Sequence, residues 1–143
     1  MSKNDAGVRA VSRLARVFEK RLADEGMSLH QFRVLAFLSE GEWAASKVAE
    51  WLAVSRPSLT SLVDGLVEQG WVERREHPTD RRSVLHFLTD AGRARLAEAT
   101  DLLSEDLDTL LDHLDDDERA RADDGLALLH TALHRHREAM VTS

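Results

Sequence analysis

The chain of 143 residues contains no cysteine. That one absence excludes disulfide frameworks, cysteine-ligated zinc, iron–sulfur clusters, thiol nucleophiles and thiol redox sensing. Proline is scarce at two residues and glycine at seven, which argues against disorder and against a turn-rich all-β sandwich. No apolar run approaches the roughly 20 residues that cross a bilayer as a helix, so no membrane partner is expected. Met1 to Gly7 is polar and lacks the apolar segment of an export signal, so a cytoplasmic location is expected. Glycine-rich phosphate loops, nucleophile elbows and paired catalytic motifs are also missing, and neither an enzyme activity nor a cofactor is expected. What remains is a composition 43% hydrophobic, enough to build the core of one mostly helical domain without staples.

The formal charge of −7 disfavours a polyanionic partner only until it is resolved along the chain. Residues 1–98 carry 15 Lys+Arg against 14 Asp+Glu, a balance of +1. Residues 99–124 carry 2 against 11, a balance of −9, and 125–143 return to +1. The acidity is therefore local, and the rest of the chain is free to present a basic surface. Sixteen of the 19 basic residues are arginine, the side chain whose planar fork suits phosphates and base edges.

Val8, Val11, Ala15, Phe18 and Leu22 form one helical stripe over 8–24, ended by Gly26. Ser28 is placed to cap a second helix with Phe32, Leu35, Ala36 and Leu38 inward, ended by Gly41. A short helix from Ser46 to Ala53 is followed at once by Ser55-Arg56-Pro57, a serine cap with proline in the first turn. Leu59, Leu62, Val63 and Leu66 carry the buried face of that next helix to Gly70. Two short helices separated only by Ala53-Val54 make a helix-turn-helix pattern. The period then changes. Trp71–Arg75 and Ser83–Leu88 read as strands around a polar loop, Glu76–Arg82, which makes a β-hairpin with a charged tip. Thr89 caps a long helix with Leu96, Leu103, Leu107, Leu110 and Leu114. Asp115 with Glu118 forms a capping box for a last helix running to about Arg137 through Leu126, Leu129 and Leu133.

The expected fold is mainly α with a small β-hairpin: a winged helix-turn-helix flanked by helical arms. In that geometry the second helix of the motif enters the major groove and the hairpin reaches the backbone or minor groove. Removing the buried positions leaves Arg56, Pro57, Ser58, Thr60, Ser61 and Asp64 outward, with Arg56 suited to guanine and the small hydroxyls to a close approach. The helix N-terminus also offers N–H groups to a phosphate. An ordinary solvated face satisfies the same spacing. At the tip, Asp80-Arg81-Arg82 sets a carboxylate two residues before Arg82, where it can hold that arginine extended for a narrow minor groove. Arg74 and Arg75 are candidate phosphate contacts of lower grade.

The runs Val54–Leu66, Gly70–Arg74, Asp80–Arg82 and Leu88–Arg93, preceded by Ser28–Leu35, resemble the MarR family of bacterial transcription regulators. The likeness covers roughly 28–95, and the terminal helices agree in place and length. It puts the family's aspartate-x-arginine wing on Asp80 and Arg82 and its recognition helix on about Ser55–Gln69. Two positions depart from the pattern. Gly65 stands where many relatives carry arginine, and Ala44-Ala45 stand near a frequent capping threonine, which leaves Ser46 to cap the short helix.

The resemblance implies residues 1–27 as an N-terminal dimerisation helix, 28–92 as the winged helix-turn-helix and 93–143 as C-terminal dimerisation helices. It implies a homodimer on a near-palindromic double-stranded DNA operator, acting as a repressor released by a small-molecule effector. An intramolecular antiparallel pair of arms is the alternative for the leucine stripes. Phe18, Phe32, Phe37 and Trp43 are candidate linings for an effector, or ordinary core. His130 and His134 have a ligand-compatible spacing, with His113 and His136 near in sequence, but nothing fixes a third ligand and no metal is expected. A winged-helix module that docks protein without binding DNA is the alternative function, favoured by the net acidity.

Overall fold

The computed structural model describes residues 2–41 and 43–141. Nine elements follow in order: α1 (Lys3–Asp24), α2 (Leu29–Leu38), β1 (Trp43–Ala44), α3 (Ala45–Leu52), α4 (Arg56–Glu68), β2 (Val72–Glu76), β3 (Val84–Leu88), α5 (Asp90–Leu111) and α6 (Asp116–Val141). They form two compact units, 1–103 and 104–143, with the boundary inside α5.

The first unit holds the core. Leu22 and Met27 meet Val34, Leu35, Phe37 and Leu38 of α2, Val48, Ala49 and Leu52 of α3, and Leu59, Val63 and Leu66 of α4. Val72 and Leu88 close it from the sheet, and Ala99 and Leu103 from α5. Helix α2 contributes four buried residues in ten because α1, α3, α4 and β3 all pack on it. A single stripe of Phe32, Leu35, Ala36 and Leu38 was therefore too narrow an expectation: Phe32 and Ala36 are only half-buried, while Val34 and Phe37 are buried.

Helix α1 starts five residues before Val8. Ser2 Oγ accepts the Asp5 N–H at 3.2 Å and Asp5 Oδ2 accepts the Ser2 N–H at 3.1 Å, a reciprocal box that the stripe alone does not reveal. Ser28 caps α2 as expected, and Gln31 completes the same reciprocal box there. Helix α3 corrects the sequence reading. It begins at Ala45 after Ala44, with no side-chain cap, so Ser46 does not cap it. The backbone is fixed instead by the sheet, since Trp43 and Ala44 pair with His86 and Leu85. The hairpin is thus two of three antiparallel strands, ordered β1-β3-β2. A two-residue strand is too short to show a period of two. The turn between α3 and α4 places Ala53 in the left-handed region at φ 55, a conformation that costs a non-glycine residue roughly 1 kcal/mol.

Gly70 terminates α4 two residues after Glu68, and its φ of 79 lets the Trp71 N–H reach back to the Leu66 carbonyl at 3.0 Å. Trp71 then accepts the Thr89 N–H at 3.1 Å, and Thr89 Oγ1 donates to the Gly70 carbonyl at 2.6 Å while accepting the Gly92 N–H at 3.0 Å. The first turn of α5 is thereby fastened to the α4–β2 connection. Gly92 is required for it, because a Cβ there would lie 2.0 Å from the Trp71 carbonyl oxygen.

In the second unit, the Asp115–Glu118 box opens α6 as expected, with bonds of 3.1 and 2.8 Å. Arg119 joins Asp108 at 2.7 Å, Asp112 at 2.8 Å and Asp123 at 3.4 Å, so one guanidinium offsets part of the local negative charge. From Asp116 to Met140 no α6 residue is buried. Leu129, Leu133 and Met140, on one helical stripe, are 45%, 61% and 49% exposed.

Gly92→Ala is expected to lower stability by roughly 1–3 kcal/mol or more through that clash. Gly125→Ala in α6, where an added Cβ meets nothing within 4 Å, should instead be neutral or stabilising. Urea unfolding of the two variants checks both signs.

Candidate nucleic-acid interface

The outward face of α4 carries Arg56, Pro57, Ser58, Thr60, Ser61 and Asp64, all exposed, above the buried Leu59, Val63 and Leu66. Its hydroxyls are partly committed. Ser55 Oγ accepts the Ser58 N–H at 3.2 Å and donates to Ser58 Oγ at 2.9 Å. Thr60 Oγ1 donates to the Arg56 carbonyl at 3.0 Å, so toward a groove it offers lone pairs and suits an exocyclic amino group. The expectation that this helix end supplies several N–H groups to a phosphate does not hold. Pro57 has none, that of Ser58 is taken by the cap and that of Leu59 by the Ser55 carbonyl, which leaves at most that of Arg56.

The wing tip is organised by two residues. His77 Nδ1 accepts the N–H groups of Thr79 at 3.2 Å and Asp80 at 3.1 Å. Asp80 Oδ1 accepts the Arg82 N–H at 3.0 Å, and its Oδ2 accepts the Ser83 hydroxyl at 3.3 Å. Asp80 therefore grips the Arg82 main chain and orders the loop that carries the side chain. Arg81 and Arg82 are exposed, and neither guanidinium joins an ion pair among the described residues. His77 was overlooked in the sequence because a ring nitrogen capping a turn has no periodic signature.

Arg74 and Arg75 do not act together. Successive strand residues face opposite sides, and the register places Arg74 beside His86 and Arg75 beside Leu85. Arg74 Nη2 lies 2.5 Å from Asp64 Oδ1 and 3.4 Å from the Thr60 carbonyl on α4. The Arg75 guanidinium stacks 3.6 Å from the centroid of Phe87 on the other face.

His86 sits on the centre strand between Trp43 and Arg74 and is buried. Burial first, then the charges of Arg74 and Arg56, pushes its imidazole from 6.5 down to about 4. Its Nδ1 finds no hydrogen-bond partner among the described residues. Its place two residues before the buried Leu88 on the same strand marks this inward position in the sequence.

The aromatic residues expected to line an effector site are packed on one another or on the core. Phe37 and Trp43 meet at 5.1 Å, and Trp51 lies 4.6 and 4.7 Å from them. Phe18 and Phe32 pack against the core. A hollow of about 570 Å³ opens instead between the end of α1 and the start of α2, lined by Arg16, Glu19, Met27, His30 and Arg33 among others. His134 bonds Glu138 at 3.1 Å, and among the described residues no group of three His, Asp or Glu gathers for a metal.

A helix-turn-helix whose second helix stands beside a basic, three-stranded wing defines the winged helix-turn-helix DNA-binding class. The MarR family model matches residues 25–83. The chain is 35% identical over 126 residues to the HTH-type transcriptional regulator MT0903.1 of Mycobacterium tuberculosis, across 84% of this chain and 87% of that protein. It is 33% identical over 85 residues to the HTH-type transcriptional repressor YetL of Bacillus subtilis, across 57% of this chain but only 51%, about half, of that relative's length. The crystal structure of wild-type, apo MarR from Escherichia coli matches with a TM-score of 0.82 at 27% identity, covering 90% of this chain and 96% of that one. The chain belongs to the MarR family of transcriptional regulators. No helix among the described residues is long and apolar enough to cross a membrane.

The folded protein keeps His86 neutral, whereas the unfolded chain takes up a proton below about pH 6.5. Stability is accordingly complete above that pH and falls as the pH drops toward 4, by up to roughly 3 kcal/mol. Urea titrations at about pH 7.5 and about pH 5 should show the loss, and His86→Gln should reduce it.

Proposed function

We propose that this protein is a homodimeric, sequence-specific transcriptional repressor that leaves its operator when a small-molecule effector binds. The observation that carries the reading is the wing tip: Asp80 and His77 hold the loop, while Arg81 and Arg82 stand exposed on it. An ordered loop loses little entropy on binding, and an extended arginine suits the negative potential of a narrow minor groove. Arg56, Ser58, Thr60 and Ser61 read the major groove at the same time, with Pro57 keeping the helix start narrow. Arg81 supports Arg82 on the adjacent phosphates.

Dimerisation is supported by the bare stripe of α6 and by Val8 and Val11 of α1, which are 69% and 57% exposed. A twofold arrangement of residues 1–27 and 93–143 repeats the reading helix on one duplex and demands a near-palindromic site. For an anionic effector, Arg33 and Arg16 offer positive charge in the hollow, that of Arg16 shared with Glu19 at 3.9 Å.

Arg82→Ala should weaken operator binding by about 1–3 kcal/mol without moving the thermal midpoint. Equal affinity at physiological salt would remove the wing from the interface. A gel shift showing no sequence-dependent complex would favour a protein-docking module. Leu129→Asp with Leu133→Asp should turn a dimer into a monomer in sedimentation velocity, and an unaltered sedimentation coefficient would refute the α6 interface.

A further inference from the structure

Of the arginines near the reading surface, Arg74 is bound differently from Arg81 and Arg82. It lies on the face of β2 turned toward α4, and its Nη2 is engaged by Asp64 Oδ1 at 2.5 Å and by the Thr60 carbonyl at 3.4 Å. That nitrogen has two protons, and the two acceptors occupy both. Thr60 and Asp64 are one helical turn apart, so the contact spans a turn in the middle of α4, on the face that also carries its outward hydroxyls. The covalent link between α4 and β2 lies at the other end of the helix, at Gln69–Trp71. Beneath the arginine, His86 is buried and neutral, so the guanidinium meets no competing charge from the centre strand.

We infer that Arg74 is a positioning residue for DNA recognition, clamping the wing strand to the middle of α4 through Asp64 and the Thr60 carbonyl so that helix and wing engage a duplex in one fixed relation. This rests on the DNA-binding reading above. An exposed ion pair adds little to folding stability, and here the side chains of Arg74 and Asp64 are 33% and 61% exposed. The role assigned to the pair is therefore geometric. A phosphate ligand at Arg74 is a different role with opposite consequences, because Asp64 would then compete with the DNA for the guanidinium.

The experiment uses the full-length protein and a duplex that the unaltered protein selects from fragmented genomic DNA. Affinity is measured across a salt series for Arg74→Ala, for Asp64→Asn and for the exchanged pair Arg74→Asp with Asp64→Arg, each alone and with Arg82→Ala. Expected are losses of about tenfold for each single variant, with the same salt slope as the unaltered protein and unchanged urea midpoints. Asp64→Asn should weaken binding even though it removes a negative charge from the reading helix. The exchanged pair should regain most of the affinity, and the effect of Arg82→Ala should be smaller in the Arg74→Ala background than in the unaltered one. The clamp is overturned if Asp64→Asn leaves affinity unchanged or tightens it. It is equally overturned if Arg74→Ala lowers the salt slope by about 0.9, the signature of one lost phosphate contact. If the unaltered protein selects no duplex at all, the DNA-binding reading fails and takes the clamp with it.

Discussion

The joint between the end of α4 and the start of α5 is the constraint on which the surface formed by α4 and the wing depends. Thr89 gives its N–H to Trp71 and its hydroxyl proton to Gly70, and Gly92 lets the helix come within reach by having no side chain. Both strands of the wing leave from this point, β2 following Trp71 and β3 preceding Thr89. The orientation of the hairpin relative to α4 is thus set at its base by backbone groups and the Thr89 hydroxyl. Its tip is set independently by His77 and Asp80. An element fixed at both ends has few conformations left to lose when a ligand arrives.

The arginines divide accordingly. Arg74 and Arg119 are bound to carboxylates, and Arg95 lies over Trp71 with a contact to the Glu25 carbonyl, so each spends its charge inside the protein. Arg81 and Arg82 spend none of theirs there. Net charge is therefore a poor guide to partner class in this chain. The excess carboxylates belong to 99–124, in part neutralised by Arg119, while the wing and α4 lie in a stretch that is nearly balanced.

Much of this was legible in the sequence wherever a signal is local and chemical. Ser28, Ser55, Thr89 and Asp115 each cap the helix they were assigned, since a side-chain oxygen near a free N–H needs no tertiary context. Ala44 shows the limit. It precedes α3 without a cap because β3, some 40 residues later, supplies the fixing contacts. The width of the α2 face failed for the same reason, being decided by how many neighbours surround it. Arg74 and Arg75 read alike as adjacent charges, but only the strand register reveals that they face apart. Asp80 was expected to hold Arg82 extended without a stated contact atom; the bond it makes is to the Arg82 amide, and sequence does not distinguish main chain from side chain.

The direct passage of β1 into α3 has a mechanical result. Starting at Trp43, one can travel through α3, α4, β2 and β3 and return to Trp43 across the β1–β3 hydrogen bonds. The path is a closed ring with no slack segment at the strand-to-helix junction. A ring of that kind cannot fold its wing away while leaving the helices where they were, as an open-ended hairpin could. To swing the wing alone, the chain has to break the β1–β3 hydrogen bonds; otherwise α3 is carried along with it.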